Sequence, residues 1–153
     1  MANTYSQIYI QVVFAVKYRQ ALIQPAFEED LYRYITGIVR GQKQKLIAIN
    51  GMPDHIHAFL SLRPDCRLSD LVREMKSESS TFVNERKLTK PKFHWQEGYG
   101  AFSYSRSQQD SVVRYVMNQK THHRKRTFRE EYMELLKRFE IEYKPEYLFE
   151  FFD

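Results

Sequence analysis

The most constraining feature of the chain is a run near its N-terminus, residues 6–17 (SQIYIQVVFAVK), built almost entirely from β-branched and aromatic residues. Ile8, Ile10, Val12, Phe14 and Val16 fall on one face at the two-residue period of a strand. Tyr9, Val13 and Ala15 make the opposite face largely apolar as well. A strand that is apolar on both sides has to be covered on both sides, so it belongs at the centre of its sheet.

The rest of the sequence supplies the neighbours. Pro25 opens a helix whose apolar residues Phe27, Leu31, Tyr34, Ile35 and Ile38 recur at helical spacing until Gly41. Residues 46–50 and 55–62 read as two strands joined by Gly51-Met52-Pro53-Asp54, all turn formers, and so as a hairpin. A second amphipathic helix is expected over about 68–84, carrying Leu68, Leu71, Val72, Met75 and Phe82. Residues 93–95 and 99–103 read as short strands around Gly98 and Gly100. Ser107-Gln108-Gln109-Asp110 has the form of a capping box and opens a third helix reaching about His123. A fourth, over about 128–139, carries Phe128, Tyr132, Leu135, Leu136 and Phe139. The order β-α-β-β-α-β followed by helix predicts an α+β, ferredoxin-like (RRM-like) antiparallel sheet. Two helices cover one face, and a tyrosine-bearing helix lies near the other.

With 153 residues, 42% of them hydrophobic, the chain suffices for one domain with a real core. Residues 1–126 are expected to form the main body, with 127–153 as a helix and acidic, aromatic tail of the same domain. Tyr147, Leu148, Phe149, Phe151 and Phe152 make that tail too apolar for a free terminus, so it is expected to lie on the body or on a partner subunit. The single cysteine, Cys66, excludes an internal disulfide framework and a multi-cysteine zinc site. No apolar run approaches the ~20 residues that span a bilayer, and the N-terminus lacks the charge-then-apolar order of a signal peptide. A cytoplasmic protein with no membrane partner is expected. The net charge is +5, and it is unevenly spread. Residues 1–126 hold 20 Lys and Arg against 11 Asp and Glu, whereas 127–153 hold 4 against 8. A basic body suits a polyanionic partner.

Three groups of residues could carry chemistry. In Pro53-Asp54-His55-Ile56-His57-Ala58-Phe59-Leu60, strand alternation puts both imidazoles on one face and sends Ile56, Ala58 and Leu60 into the helix-covered core. Two parallel imidazoles can share one metal ion; a plain pair of partly buried histidines fits the same pattern. In Tyr115-Val116-Met117-Asn118-Gln119, the i, i+4 spacing puts the phenol and the amide on one side of a helix, one turn apart. The amide oxygen could complete a metal site and the phenol could reach a phosphate held there, though an amphipathic helix can equally bury such a tyrosine in its core. The third group is a scatter of polar and basic residues: Lys76 and Ser79 on the second helix, Arg106, Arg114, and the run His122-His123-Arg124-Lys125-Arg126. Cations neutralise phosphates and neighbouring aromatic rings stack on unpaired bases, so Lys76, Ser79, Arg106, Arg114, His122 and Arg124 are candidate DNA contacts. A solvated helix end would look the same. Trp95 reads as core or interface.

Taken in order along the chain, these elements resemble the single-tyrosine transposases of the HUH superfamily, enzymes of bacterial and archaeal insertion sequences that act on single-stranded DNA. The likeness covers nearly the whole chain. The His–hydrophobic–His motif is His55-Ile56-His57 within Asn50-Gly51-Met52-Pro53-Asp54-His55-Ile56-His57, and the Tyr-x-x-x-Gln motif is Tyr115 to Gln119. Leu68-Ser69-Asp70-Leu71-Val72-Arg73 and Trp95-Gln96-Glu97-Gly98-Tyr99-Gly100-Ala101-Phe102-Ser103 are similar to the family pattern too. Tyr104, where the family has a small aliphatic residue, adds a second tyrosine near the site.

The resemblance implies that His55, His57 and Gln119 hold one divalent ion and that Tyr115 is the nucleophile of a metal-dependent strand transfer through a 5′-phosphotyrosine link. Mg²⁺ is the implied ion by abundance; Mn²⁺ suits two imidazoles better. It further implies a homodimer with shared active sites, a hairpin-bearing single-stranded DNA substrate, and a bacterial or archaeal protein acting at the nucleoid. Two other readings share the topology: a domesticated relative that cuts chromosomal repeats, and a non-catalytic RRM-like nucleic-acid-binding module.

Overall fold

The computed structural model describes residues 3–17 and 21–148, and the side chain of Tyr147 is not among them. Four strands form one antiparallel sheet in the order β2-β3-β1-β4. They are β1 (Tyr9–Ala15), β2 (Lys45–Met52), β3 (His55–Ser61) and β4 (Gly100–Tyr104). Five helices accompany them: α1 (Glu28–Gly41), α2 (Leu68–Glu85), α3 (Gln109–Met117), α4 (Gln119–His122) and α5 (Phe128–Arg138). The ferredoxin-like α+β architecture expected from the sequence is the one observed, and β1 is an inner strand.

Strand alternation sorts the side chains of β1 and β3 to the two faces. Val12, Phe14 and Val16, with Ile56, Ala58 and Leu60, join Leu31, Ile35, Leu71, Val72 and Met75 of α1 and α2 in the largest hydrophobic cluster. Trp95 lies in that cluster, its ring edge-on to Phe14 at 4.7 Å between centroids. The opposite face carries two smaller clusters. One joins Val13, Ala15 and Phe102 to Phe128, Tyr132, Leu135 and Leu136 of α5; the other joins Phe59 to Val112 and Val116 of α3. Leu148 packs against the α5 cluster, while Phe149, Phe151 and Phe152 lie outside the described residues.

Three local expectations change. Residues 93–95 form no strand, and only Trp95 bridges to Val16. The Asn84 side chain takes both backbone groups of Phe93, accepting from its N–H at 2.7 Å and donating to its carbonyl at 3.0 Å, so Phe93 has none left for strand pairing. The capping box is made by Ser105 and Gln108, two residues earlier than expected, and it opens a 3-10 turn that leads into α3. The third helix is also not continuous to His123: it breaks at Asn118 into α3 and the four-residue α4. Asn50 of β2 ties this joint down by donating to the Met117 carbonyl at 3.0 Å. Lys120 donates to the Gly51 carbonyl at 3.0 Å. The β2–β3 turn itself needs glycine at Gly51, where a Cβ would lie 2.2 Å from the His55 carbonyl oxygen. Among the described residues no helix is long and apolar enough to cross a membrane.

Candidate metal centre and nucleophile

A polar seam runs between the two small clusters. His55 and His57 project from β3 to the face away from α1 and α2, as the alternation requires, and α3 to α5 cover them so fully that neither ring has exposed surface. Their environments are specific. His55 donates through Nδ1 to Asp54 Oδ1 at 2.7 Å, and its Nε2 lies 3.3 Å from Gln119 Oε1 and 3.4 Å from Glu131 Oε1. His57 donates through Nδ1 to Gln11 Oε1 at 2.7 Å, and its Nε2 lies 3.0 Å from Glu131 Oε1. The orientation of the Gln11 amide is set by Tyr104, whose hydroxyl accepts from Gln11 Nε2 at 2.9 Å. The second tyrosine noted in the sequence therefore acts on His57 through one intervening side chain.

Glu131 organises the seam. It sits on α5 with 1% of its side chain exposed, and one carboxylate oxygen faces the imidazoles while the other accepts from the Tyr115 hydroxyl and from Gln119 Nε2. Tyr115 and Gln119 thus stand on one side as their spacing predicts, despite the break at Asn118. The Tyr115 ring is edge-on to His57 at 5.7 Å between centroids. His123, one helical turn beyond Gln119, joins the group: its Nε2 is 3.0 Å from Glu131 Oε1 and 3.1 Å from Gln119 Oε1. Among the described residues no buried side-chain polar atom lacks a partner.

Charge is finely balanced here. Burial alone would lower the His55 pKa, but its contacts with the Asp54 and Glu131 carboxylates more than reverse this and raise it to about 9. Burial holds His57 below its ordinary value despite the pull of Glu131. Burial would raise Glu131, yet the attraction of His57, His123 and His55 keeps its carboxylate well below the usual range. Tyr115 is driven up, first by burial and then by the Glu131 charge, so its hydroxyl stays protonated in this arrangement.

Ligand atoms of His55, His57 and Glu131 all lie within 4.8 Å of one another, close enough to share one ion. Two nitrogens and a carboxylate oxygen are a suitable donor set for a divalent transition metal. Each histidine is already oriented through its other nitrogen, as metal-binding histidines are. Gln119, the third ligand expected from the sequence, borders the same space. Glu131 was not expected. Its signal was present in the sequence: it falls on the apolar stripe of α5, three residues after Phe128 and four before Leu135, where a carboxylate needs a reason.

The candidate DNA contacts are dispersed. Arg124 lines a cleft of about 450 Å³ with Asp54, His123 and Phe128, beside the seam. Arg106, just before α3, and Arg114, in its last turn, are exposed, and the His122 ring lies 4.9 Å from that of Tyr115. Lys76 is on the other side of the sheet, donating to the Gln96 carbonyl at 2.8 Å. Ser79 departs from expectation: it has no exposed surface, and its hydroxyl accepts from Trp95 Nε1 at 2.9 Å, so it fixes the indole in the core.

Residues 4–119 match the family model described as "Transposase IS200 like". The chain is 24% identical over 118 residues to the ISDra2 transposase TnpA of Deinococcus radiodurans, covering 74% of this chain and 84% of that protein. A crystal structure of a candidate transposase from D. radiodurans R1 superposes with a TM-score of 0.63 at 20% identity, covering 76% of this chain and 94% of that one. The structure of a REP-associated tyrosine transposase bound to a REP hairpin does so with a TM-score of 0.60 at 18% identity, covering 79% and 72%. These two likenesses are of fold. Residues from 120 onward, including His123 and Glu131, lie beyond the family match.

Proposed function

This chain belongs to the IS200-like transposase family, and on that premise we propose that it cuts and rejoins single-stranded DNA with Tyr115 as nucleophile. The observation that carries the reading is a convergence on one carboxylate. The Nε2 atoms of His55 and His57 meet one oxygen of Glu131, and the hydroxyl of Tyr115 meets the other. Nucleophile and metal-binding nitrogens are thereby held within one side chain of each other.

The Tyr115 oxygen attacks the phosphorus of a phosphodiester; the bond to the 3′ oxygen breaks, leaving a free 3′-OH and a 5′-phosphotyrosine. Because the tyrosyl ester keeps the energy of the cleaved bond, attack by another 3′-OH reverses the step and joins strands. His55, His57 and Gln119, with Glu131, would hold Mg²⁺ or Mn²⁺. A divalent ion held there would offset the phosphate charge and stabilise the leaving oxygen. Glu131 Oε2 is the acceptor already in contact with the phenolic proton, and deprotonation is the help a tyrosine needs, since its free pKa is ~10. In this arrangement α3 to α5 close the site over its histidines. The tyrosine helix ends at the Asn118 joint, which Asn50 fastens through the Met117 carbonyl. All the named groups come from a single chain, and exchange of α3 between two copies in a homodimer would use the same joint.

Hairpin-bearing single-stranded DNA is the proposed substrate. The exposed Arg124 and Lys125 beside the seam suit its phosphates, and the hairpin-bound relative shares the fold. That relative also supports a second reading, in which the protein processes dispersed chromosomal hairpins. A non-catalytic RRM-like module would have no use for a buried tyrosine–carboxylate–histidine seam.

The test is incubation with hairpin oligonucleotides and Mn²⁺ followed by a denaturing gel. The wild type forms a protein-linked 5′ fragment. Tyr115→Phe forms none while binding the hairpin within about tenfold, roughly 1.4 kcal/mol. An adduct that survives this substitution overturns the assignment.

A further inference from the structure

We infer that His123 is a third imidazole ligand of the proposed ion, so that the centre is built on three histidines rather than two; the inference rests on the metal reading above. His123 lies outside the residues that the family model matches. It sits in a run of cations, His122 to Arg126, whose members Arg124 and Lys125 are exposed. Yet its side chain is only 6% exposed. The α4 turn, closed by the His123 N–H donating to the Gln119 carbonyl at 3.0 Å, rotates the ring inward.

Its hydrogen bonds repeat those of the two motif histidines. A histidine that binds metal through one nitrogen normally donates through the other to a carboxylate or a carbonyl, which fixes tautomer and orientation. His55 donates through Nδ1 to Asp54 at 2.7 Å, and His57 to the Gln11 amide oxygen at 2.7 Å. His123 donates through Nδ1 to the Arg126 carbonyl at 3.0 Å. In each ring this leaves Nε2 for the centre, and the three Nε2 atoms lie 3.4, 3.0 and 3.0 Å from one oxygen of Glu131. The His55 and His123 rings are 4.8 Å apart between centroids. A histidine present only to satisfy Glu131 would need one donor; this one is also braced from behind, as a ligand is.

Three imidazoles change what the centre selects. Mg²⁺ strongly prefers oxygen donors, whereas each added imidazole favours transition ions. Transition ions are thus expected to bind more tightly than Mg²⁺.

The experiment is Mn²⁺ titration by calorimetry together with pulsed EPR, which counts imidazole nitrogens coupled to the ion. The wild type is expected to show three coupled imidazoles. His123→Ala should show two, with Mn²⁺ affinity reduced at least tenfold. Two imidazoles in the wild type overturn the inference while leaving the metal reading intact, as does an unchanged spectrum and affinity in His123→Ala. If the wild type binds no Mn²⁺, the metal reading itself falls, and this inference with it. If circular dichroism shows that His123→Ala does not fold, the wild-type count alone decides: three supports the inference and two overturns it.

Discussion

The two faces of the sheet are built from the same strands and differ in almost everything else. Toward α1 and α2, β1 and β3 present Val12, Phe14, Val16, Ile56, Ala58 and Leu60 to one continuous apolar cluster. Toward α3 to α5 they present Gln11, His55 and His57, and the apolar packing is split into two small clusters on either side of them. Burying paired charges brings little stability compared with an apolar core of the same volume. One face therefore holds the fold together, and the other spends part of that stability on keeping a tyrosine, a carboxylate and three imidazoles in contact.

The sharpest way to break this contrast is to remove one side chain from each face. Phe14→Ala should cost about 3–5 kcal/mol in denaturant unfolding, because it empties a fully buried site against Trp95. Hairpin cleavage per folded molecule should be unchanged. His57→Ala on the facing strand should reverse the pattern. Its chain still folds, but metal affinity falls at least 10- to 100-fold and metal-dependent cleavage is lost, as titration and cleavage with and without chelator would show. Undiminished cleavage would place the chemistry elsewhere.

A smaller effect concerns Lys76, a half-buried cation of α2. Burial lowers Lys76 to about 8, against a free value of about 10.4. Between those pH values the unfolded chain binds the Lys76 proton and the folded chain does not, so Lys76 contributes a rise in stability with pH across that window. Denaturant unfolding of Lys76→Met should lack this contribution, so wild-type stability should gain on the variant as pH rises. An identical pH slope in the two proteins would show that Lys76 keeps its ordinary pKa.

Much of this was legible because it follows from short-range periodicity. The two-residue period of residues 6–17 and of His55 to Leu60 decided which face each side chain would take. The helical stripes of α1 and α2 located the layer that covers one of those faces. What was missed depends on contacts distant in sequence. Asn84 takes the backbone groups of Phe93 and removes it from an expected strand. Asn50 caps α3 from across the sheet and helps to end it at Met117. Glu131 meets His57 across 74 residues, and only its place on an apolar stripe hinted at burial. His123 was hidden by its neighbours, since a run of cations reads as solvated until one ring is seen to turn inward. Gln11 had no signal beyond being polar on an otherwise apolar strand.

The hydroxyl in contact with Glu131 is the one proposed to take the DNA. Mass spectrometry of a tryptic digest of the protein–DNA adduct tests this, because Tyr115 and Tyr104 fall in different peptides. The account predicts a 5′-nucleotide phosphate on the peptide from Tyr115 to Lys120, YVMNQK. The same modification on the peptide containing Tyr104, with Tyr115 unmodified, would contradict it.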